Sequence, residues 1–300
     1  MRAYLQLLRL PNVFTAVADI MLGYLFTHEG LDPIGPFALL VSTSASLYLA
    51  GMVLNDLFDR QQDVAERPYR PIPSGRVSVA TARNLGFGLL ALGLACGVIV
   101  SALAHNPRPG VVAALLALAV VAYDALLKRT FAGPLVMGAC RVLNVLLGMS
   151  LVDGSWQPVH LVVAGGVGLY IVGVTVFARS EARISGRPQL TLGVALIALG
   201  IAVVSSLAQW TAGDEWPPVR VPDRWYLFWG LLGLLILWRA LRAIVDPRPQ
   251  QVQSAVRNCI FALVIIDAGA CLAVQDRVWG LAILTLLAPT MLLGRWIYST

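Results

Sequence analysis

The chain alternates long apolar runs with short polar or Pro/Gly-containing breaks along almost its whole length. Many of these runs are near the ~20 residues that an α-helix needs to cross a ~30 Å hydrocarbon layer. The pattern predicts membrane-spanning helices at 12–28, 36–56, 79–104, 109–127, 131–151, 160–179, 189–209, 225–245, 255–274 and 278–297. Only Gln275, Asp276 and Arg277 separate the last two runs, so both nine and ten spans remain open.

Composition supports this interpretation, since 58% of the 300 residues are hydrophobic and only 13% are charged. A soluble domain is typically ~25% charged, so a water-solvated globule is excluded. The four cysteines lie inside apolar runs without CxxC spacing, which argues against a disulfide framework or a zinc site. We therefore predict an all-α integral membrane protein, a bundle of nine or ten transmembrane helices in a single domain covering residues 1–300.

The positive charges are distributed unequally between the two predicted sides of the membrane. With the N-terminus in the cytoplasm, 18 of the 22 Lys and Arg residues fall on the cytoplasmic side. The remaining four are Arg108, Arg220, Arg224 and Arg277. This is the positive-inside distribution of a multi-pass protein. The net charge of +6 is therefore explained by loops beside anionic lipid, and we expect membrane lipid but no nucleic acid among the partners.

Acidic residues are concentrated where the second apolar run ends. Asn55, Asp59 and Asp63 are spaced i, i+4, i+8, and they form one stripe if the helix continues, with Asp56 beside it. Three carboxylates and an amide on one face repel each other unless a cation lies between them. Hard oxygen ligands of this kind suit Mg²⁺, with substrate phosphates at other positions, so these four residues are predicted metal ligands. A solvated helix end is the structural alternative.

Several segments resemble the UbiA superfamily of intramembrane prenyltransferases. They are the acidic segment 55–63, NDLFDRQQD, and the segment 70–76 that follows it, RPIPSGR. Segment 8–12, LRLPN, and Tyr123 with Lys128 and Arg129 are also similar to that family. The resemblance implies a UbiA-like bundle that binds Mg²⁺ and an isoprenyl diphosphate at its cytoplasmic end. The lipid tail then runs between the helices, and a small acceptor attacks the allylic carbon.

The resemblance also implies roles for individual residues. Ionising an allylic diphosphate leaves a carbocation and a highly charged leaving group, so catalysis needs cations around the diphosphate and a dry apolar chamber. In this hypothesis Asp59 acts through the metal, and Lys128 and Arg70 hold diphosphate oxygens. Tyr123 stabilises the carbocation through its ring or donates a hydrogen bond. An interfacial tyrosine without a substrate role is the alternative for Tyr123.

The chain departs from the family after the sixth span, where UbiA-type enzymes carry a second motif near DxxxD. Segment 177–187 reads FARSEARISGR, with Arg179 and Arg183 at the i, i+4 positions and Glu181 as its one acid. Because the charge is inverted, the number of Mg²⁺ ions, one or two, stays open. We expect both arginines to bind the diphosphate directly, the alternative being positive-inside arginines. The FARSEA run resembles the EboC-like branch of this superfamily, whose members occur with cyclitol-forming enzymes. This resemblance implies that a hydroxylated, cyclitol-like acceptor is possible as well as an aromatic one.

Predicted spans also contain ionisable or amide residues, among them Asp19, Arg141, Asn144 and Asp267. A charge at bilayer depth costs ~2.5–3.5 kcal/mol on insertion scales, so it is usually paired or lines a cavity. We expect Asp19 to pair with Arg141, Arg141 to reach the diphosphate or the acceptor, and Asp267 to be structural. The predicted acceptor pocket consists of Asn12, Asp19, Asn144 and Glu181.

The function predicted from the sequence is Mg²⁺-dependent transfer of an isoprenyl group from its diphosphate to a small aromatic or cyclitol-like acceptor. Two alternatives remain open. One is an intramembrane terpene cyclase, which captures the carbocation internally and adds no acceptor mass. The other is a non-catalytic protein that binds an isoprenoid lipid, with binding of the diphosphate but no turnover.

Overall fold

The structure, a computed structural model, describes residues 1–179, 184–210 and 219–297. Within these residues the regular secondary structure is entirely helical. The α-helices are α1 Arg2–Leu7, α2 Val13–Leu25, α3 Ile34–Phe58, α4 Arg60–Glu66, α5 Val79–Leu103, α6 Arg108–Ala122, α7 Gly133–Gly148, α8 Pro158–Ala178, α9 Arg187–Ser205, α10 Trp225–Val245, α11 Pro249–Cys271, α12 Arg277–Leu284 and α13 Leu287–Trp296. Short 3₁₀ turns lie at Leu10–Asn12 and Ser206–Gln209, and a π-helix at Tyr123–Leu127 follows α6 directly.

The apolar runs correspond to these helices. Among the described residues, eight helices are long and apolar enough to cross a membrane, and two shorter apolar helices, Leu10–Leu25 and Gly133–Gly148, lie at the first and fifth runs. The last predicted span consists of α12 and α13, which are separated at Thr285 and Leu286. The predicted fold class, an all-α multi-pass integral membrane protein, is confirmed.

The boundaries of the helices follow from local sequence. Proline lies at the first or second position of α6, α8, α9 and α11, where its missing N–H would have no helical partner. At the start of α5, the Ser78 hydroxyl accepts a hydrogen bond from the Thr81 N–H at 3.1 Å. Large apolar side chains such as Leu118, Leu235 and Val278 remain exposed on the outside of the bundle. Such a surface suits lipid as the surrounding solvent.

Glycines allow the helices of the bundle to approach closely. A Cβ atom at Gly23 of α2 would lie 2.3 Å from the Val145 carbonyl oxygen of α7, and one at Gly148 would lie 2.6 Å from the Ile20 carbonyl oxygen. Small residues at membrane helix interfaces permit such backbone contact. This contact fixes α2 against α7, so that polar side chains on the two helices meet inside the bundle.

Candidate active site

The acidic segment does not form one uninterrupted helix. The α3 helix ends at Phe58 and α4 begins at Arg60, with Asp59 at the junction. The Asp59 N–H still donates to the Asn55 carbonyl at 3.0 Å, and the Asp63 N–H donates to the Asp59 carbonyl at 2.9 Å. The helical hydrogen bonds therefore carry on through the junction, and all four predicted metal ligands stay near the same end of α3.

Arg9 and Arg70 hold two of these acids. Arg9 donates to Asp56 Oδ1 at 2.9 Å, and Arg70 Nη1 donates to the same oxygen at 3.2 Å and to Asp63 Oδ2 at 2.8 Å. Asp56, Asp63 and Arg70 are buried. Burial lowers the pKa of the Arg9 guanidinium, but the charge of Asp56 and the hydrogen bond to it outweigh this effect, so that the pKa is raised. These residues form a compact, charge-compensated group.

The remaining two predicted ligands face Lys128. Its ammonium nitrogen lies 2.8 Å from Asp59 Oδ2 and 3.5 Å from Asn55 Oδ1. Arg129 donates to the other Asp59 oxygen at 2.8 Å. The Lys128 side chain is 13% exposed, whereas that of Arg129 is 64% exposed. A shielded amine thus lies between an amide and a carboxylate oxygen, and a solvated guanidinium completes the group.

Arg179, the residue that follows α8, adjoins this group. Arg179 donates to the backbone carbonyl of Arg129 at 3.1 Å and to that of Thr130 at 3.0 Å. It therefore lies beside the loop that carries Lys128. Arg183 and Glu181 lie outside the described residues, and their predicted roles stay predictions.

These contacts change the predicted geometry of the metal ligands. Arg70 holds Asp56 and Asp63, while Lys128 holds Asn55 and Asp59, so the four do not act as a single stripe. Across the part of the chain that the structure describes, no three Asp, Glu, His or Cys side chains converge as a metal cage. Mg²⁺ usually takes only one or two carboxylates and fills its other positions with water and substrate phosphate. The oxygens of Asn55 and Asp59, which already share a cationic neighbour, fit an ion bound in that way.

A cavity of about 80 Å³ begins at Asn55 and extends into the bundle between α2, α3, α6 and α7. Its lining is mostly apolar, with Leu47, Met52 and Leu116 among the contributing side chains. Tyr123 of the π-helix also lines it. The charged groups therefore lie at the end of an apolar chamber, as the ionisation of an allylic diphosphate requires.

A buried polar network forms part of the cavity wall farther inside. Arg141 donates to Asp19 Oδ2 at 2.7 Å and to the Thr15 hydroxyl at 2.9 Å, and Asn144 donates to the same Asp19 oxygen at 2.8 Å. The predicted Asp19–Arg141 pair is therefore confirmed. The Arg141 guanidinium also lies over the ring of Tyr48, 5.7 Å from its centre.

The residues predicted inside the spans and in the acceptor pocket do not all line the cavity. Arg141 and Asn144 line the cavity, but Asn12 and Asp19 are not among the described lining residues. Asn12 lies in the 3₁₀ turn, where its carbonyl accepts a hydrogen bond from Thr15. Asp267 of α11 is completely buried.

The cavity lining also contains hydroxyl and carboxyl side chains that were not predicted, those of Ser44, Tyr48 and Asp124. Asp124 lies inside the fourth apolar run, and an intramembrane acid is a functional candidate by the same criterion that selects Asp19. Ser44 donates to Asn144 Oδ1 at 2.6 Å. Small hydroxyl residues and tyrosines are common in membrane helices, so the sequence contains no comparable signal for Ser44 or Tyr48.

The fold and site define a class: an intramembrane helical bundle with a carboxylate- and arginine-rich end above an apolar cavity. The profile of the UbiA prenyltransferase family matches residues 16–265. The chain belongs to this family, which confirms the resemblance in its sequence. Its assignment to the EboC-like branch stays a prediction.

Relatives with similar sequences bear the name digeranylgeranylglyceryl phosphate synthase. The one from Ignicoccus hospitalis is 37% identical over 158 residues, which are 52% of this chain and 49% of the relative. The one from Saccharolobus solfataricus is 28% identical over 158 residues, 52% of this chain and 54% of the relative. The chain thus spans about half the length of the curated relatives it matches.

The fold is also similar to that of solved structures. A UbiA homologue from Archaeoglobus fulgidus, bound to DMAPP and Mg²⁺, superimposes with a TM-score of 0.64 at 14% identity. The superposition covers 94% of this chain and 99% of the homologue. At this identity the similarity establishes the fold.

Proposed function

We propose that the protein is a Mg²⁺-dependent membrane prenyltransferase that moves an isoprenyl group from its diphosphate to a small aromatic or cyclitol-like acceptor. One observation carries the proposal: the Lys128–Asp59–Asn55 group lies at the end of an apolar cavity. Family membership supports the same chemistry. The positive-inside distribution of charge supports a cytoplasmic N-terminus and a cytoplasmic active site.

In this proposal the diphosphate binds at the cationic side of the site. Lys128 and Arg179 contact its oxygens directly, and Arg183 is a further proposed diphosphate ligand. Arg70 acts mainly by holding Asp56 and Asp63, because both of these contacts are short and buried. Arginine suits such a site because its planar guanidinium binds phosphate oxygens in a bidentate manner.

Asn55 and Asp59 are the proposed ligands of Mg²⁺, with Asp56 and Asp63 in support. The ion, when bound, offsets the charge that develops on the diphosphate as it leaves. The A. fulgidus homologue binds Mg²⁺ together with DMAPP, which supports a shared requirement. Asp59 is best placed for this role because both of its oxygens already bind cationic groups.

The isoprenyl tail occupies the cavity, and the C1–O bond to the diphosphate breaks at its charged end. The apolar wall excludes water from the resulting allylic cation. The ring of Tyr123 is available to stabilise that cation. Arg141, whose guanidinium has further N–H groups besides those bound to Asp19 and Thr15, supplies hydrogen-bond donors for an acceptor with polar groups, and Asn144 lines the cavity beside it. The relatives named digeranylgeranylglyceryl phosphate synthase support a transfer of this kind.

Purified protein with allylic diphosphates of increasing length and a panel of acceptors tests the proposal. We expect pyrophosphate release that needs Mg²⁺, that Asp59→Ala abolishes, and that yields a product with the added acceptor mass. A product without acceptor mass indicates a terpene cyclase instead. Diphosphate binding without turnover indicates a non-catalytic lipid-binding protein. Release that persists in Asp59→Ala contradicts the metal assignment.

A further inference from the structure

Asp124 is a buried acid that neither the metal nor the diphosphate assignment uses. Its side chain is 4% exposed, and it lines the cavity next to Tyr123 and Asn55. Within the described ranges, no hydrogen bond or ion pair engages its carboxyl group. A buried carboxyl without a partner costs several kcal/mol, so an acid at such a position calls for a ligand or a reaction that uses it.

The surrounding backbone directs this carboxyl into the cavity. Asp124 lies in the π-helix Tyr123–Leu127, whose wider turn lets the neighbours Tyr123 and Asp124 face the same cavity. Across the cavity, Gly51 of α3 has no side chain, and a Cβ atom there would lie 3.8 Å from Asp124 Oδ2. The carboxylate therefore reaches as far as α3 in space that a larger residue would restrict.

The nearest cations have other partners. Lys128, one helical turn farther along, lies 2.8 Å from Asp59, and Arg9 donates to Asp56 at 2.9 Å. Asp124 thus lies between the charged end and the apolar interior, where the reacting carbon of the donor is expected, with its oxygens available to a substrate.

We propose that Asp124 is a catalytic residue that accepts the proton from a hydroxyl group of the acceptor as that oxygen attacks C1 of the isoprenyl chain. The inference rests on the proposed prenyl transfer. It also specifies the class of acceptor: an alcohol that reacts through oxygen, with its other polar groups toward Arg141, Asn144 and Ser44.

The step balances. A lone pair of the acceptor oxygen forms the new C–O bond, and the C1–O bond of the donor breaks, with its electron pair leaving on the diphosphate. The O–H bond of the acceptor breaks as well, and its proton moves to an Asp124 oxygen. An alcohol bonded to an allylic cation becomes strongly acidic, so a carboxylate is a sufficient base at that point. A positioned base of this kind typically contributes 10²–10⁴-fold to the rate.

The test compares wild type with Asp124→Asn, which keeps the size of the side chain but cannot accept the proton. Geranyl, farnesyl and geranylgeranyl diphosphate are the donors, with glycerol phosphate, myo-inositol and 4-hydroxybenzoate as acceptors. We expect kcat of Asp124→Asn to fall by about 10²–10⁴-fold while the KM for the donor stays within about threefold. Asp124→Glu should recover part of the rate, and Asp246→Asn, at a half-exposed acid paired with Arg248 outside the site, is the matched control.

A fluorinated analogue of the reactive alcohol separates proton transfer from structure. Because its hydroxyl group is more acidic, the ratio of kcat between wild type and Asp124→Asn should be smaller with this analogue than with the parent alcohol. A structural defect in Asp124→Asn would instead give the same ratio with both alcohols. Three results would overturn the role of Asp124 and leave the proposed prenyl transfer intact. They are an equal loss of rate with both alcohols, a rate of Asp124→Asn within tenfold of wild type, and a product joined through a ring carbon. If wild type releases no pyrophosphate with any donor and acceptor, the proposed function and this inference fail together.

Discussion

The ammonium nitrogen of Lys128 lies 2.8 Å from a carboxylate oxygen of Asp59, and both side chains are largely shielded, at 13% and 19% exposure. A donor diphosphate with Mg²⁺ offers each of them a stronger partner of opposite charge. In the proposed function, the Lys128 amine therefore exchanges its contact with Asp59 for one with the diphosphate, and Asp59 binds Mg²⁺. The pair in the free protein keeps both groups in place until then.

Removing the Lys128 amine should strongly impair the reaction. Lys128→Met deletes a shielded cation from the diphosphate site, and we expect kcat/KM for the donor to fall by about 10²–10³-fold. Steady-state pyrophosphate release measures this. Arg129→Met is the matched comparison, because Arg129 also contacts Asp59 but is 64% exposed. In Arg129→Met, kcat/KM for the donor should fall by less than about tenfold, because solvent screens the charge of an exposed ion pair. Equal losses in the two variants would contradict the assignment of Lys128.

The Asp19–Arg141 pair should behave as a buried, coupled unit. Arg141→Met leaves the fully buried Asp19 without its cation, and we expect the free energy of unfolding to fall by about 3–5 kcal/mol. Adding Asp19→Asn should restore part of this loss, because the double variant has no uncompensated charge. Unfolding in mixed micelles measures both variants, with the exposed Arg242→Met as control. Additive losses, with no recovery in the double variant, would show that the pair is not coupled.

The contact between α2 and α7 should tolerate no added side chain. A Cβ atom at Gly23 would lie 2.3 Å from a carbonyl oxygen, so Gly23→Ala forces the two backbones apart. We expect it to cost about 1–3 kcal/mol or more, as overpacking usually does. Gly88→Ala on α5 is the matched control, since nothing lies within 4 Å of its Cβ position. It should be neutral or stabilising by up to about 1 kcal/mol. Thermal unfolding distinguishes these results, and equal melting temperatures would refute the close contact.

The long apolar runs were enough to predict the helices, because a membrane requires each crossing segment to be apolar and to satisfy its own backbone hydrogen bonds. The pairing of Asp19 with Arg141 was predictable for a related reason, since two buried charges of opposite sign in a bilayer are each costly alone. Both predictions follow from the apolar interior of the membrane and do not require knowledge of how the helices pack.

The grouping of the acids was not predictable in the same way. Spacing along one helix places Asn55, Asp59 and Asp63 together, but Arg70 instead joins Asp63 to Asp56 from a separate segment. Ion pairs between distant parts of the chain depend on how loops fold back, and helical spacing contains no information about that. Asp124 was not predicted as a site residue, because the apolar run around it was interpreted only as a membrane span. A single acid in a strongly apolar run nevertheless indicates a functional site.

The central claim is that the Lys128–Asp59–Asn55 group is the diphosphate and metal site. A structure with Mn²⁺ and geranyl thiodiphosphate, an analogue that resists ionisation, tests it most directly, since the anomalous signal locates the metal. We predict the metal bound to oxygens of Asp59 and Asn55, the diphosphate in contact with Lys128 Nζ, and the geranyl chain in the cavity beside Tyr123. A metal or diphosphate bound elsewhere, with Lys128 still paired to Asp59, would contradict the account.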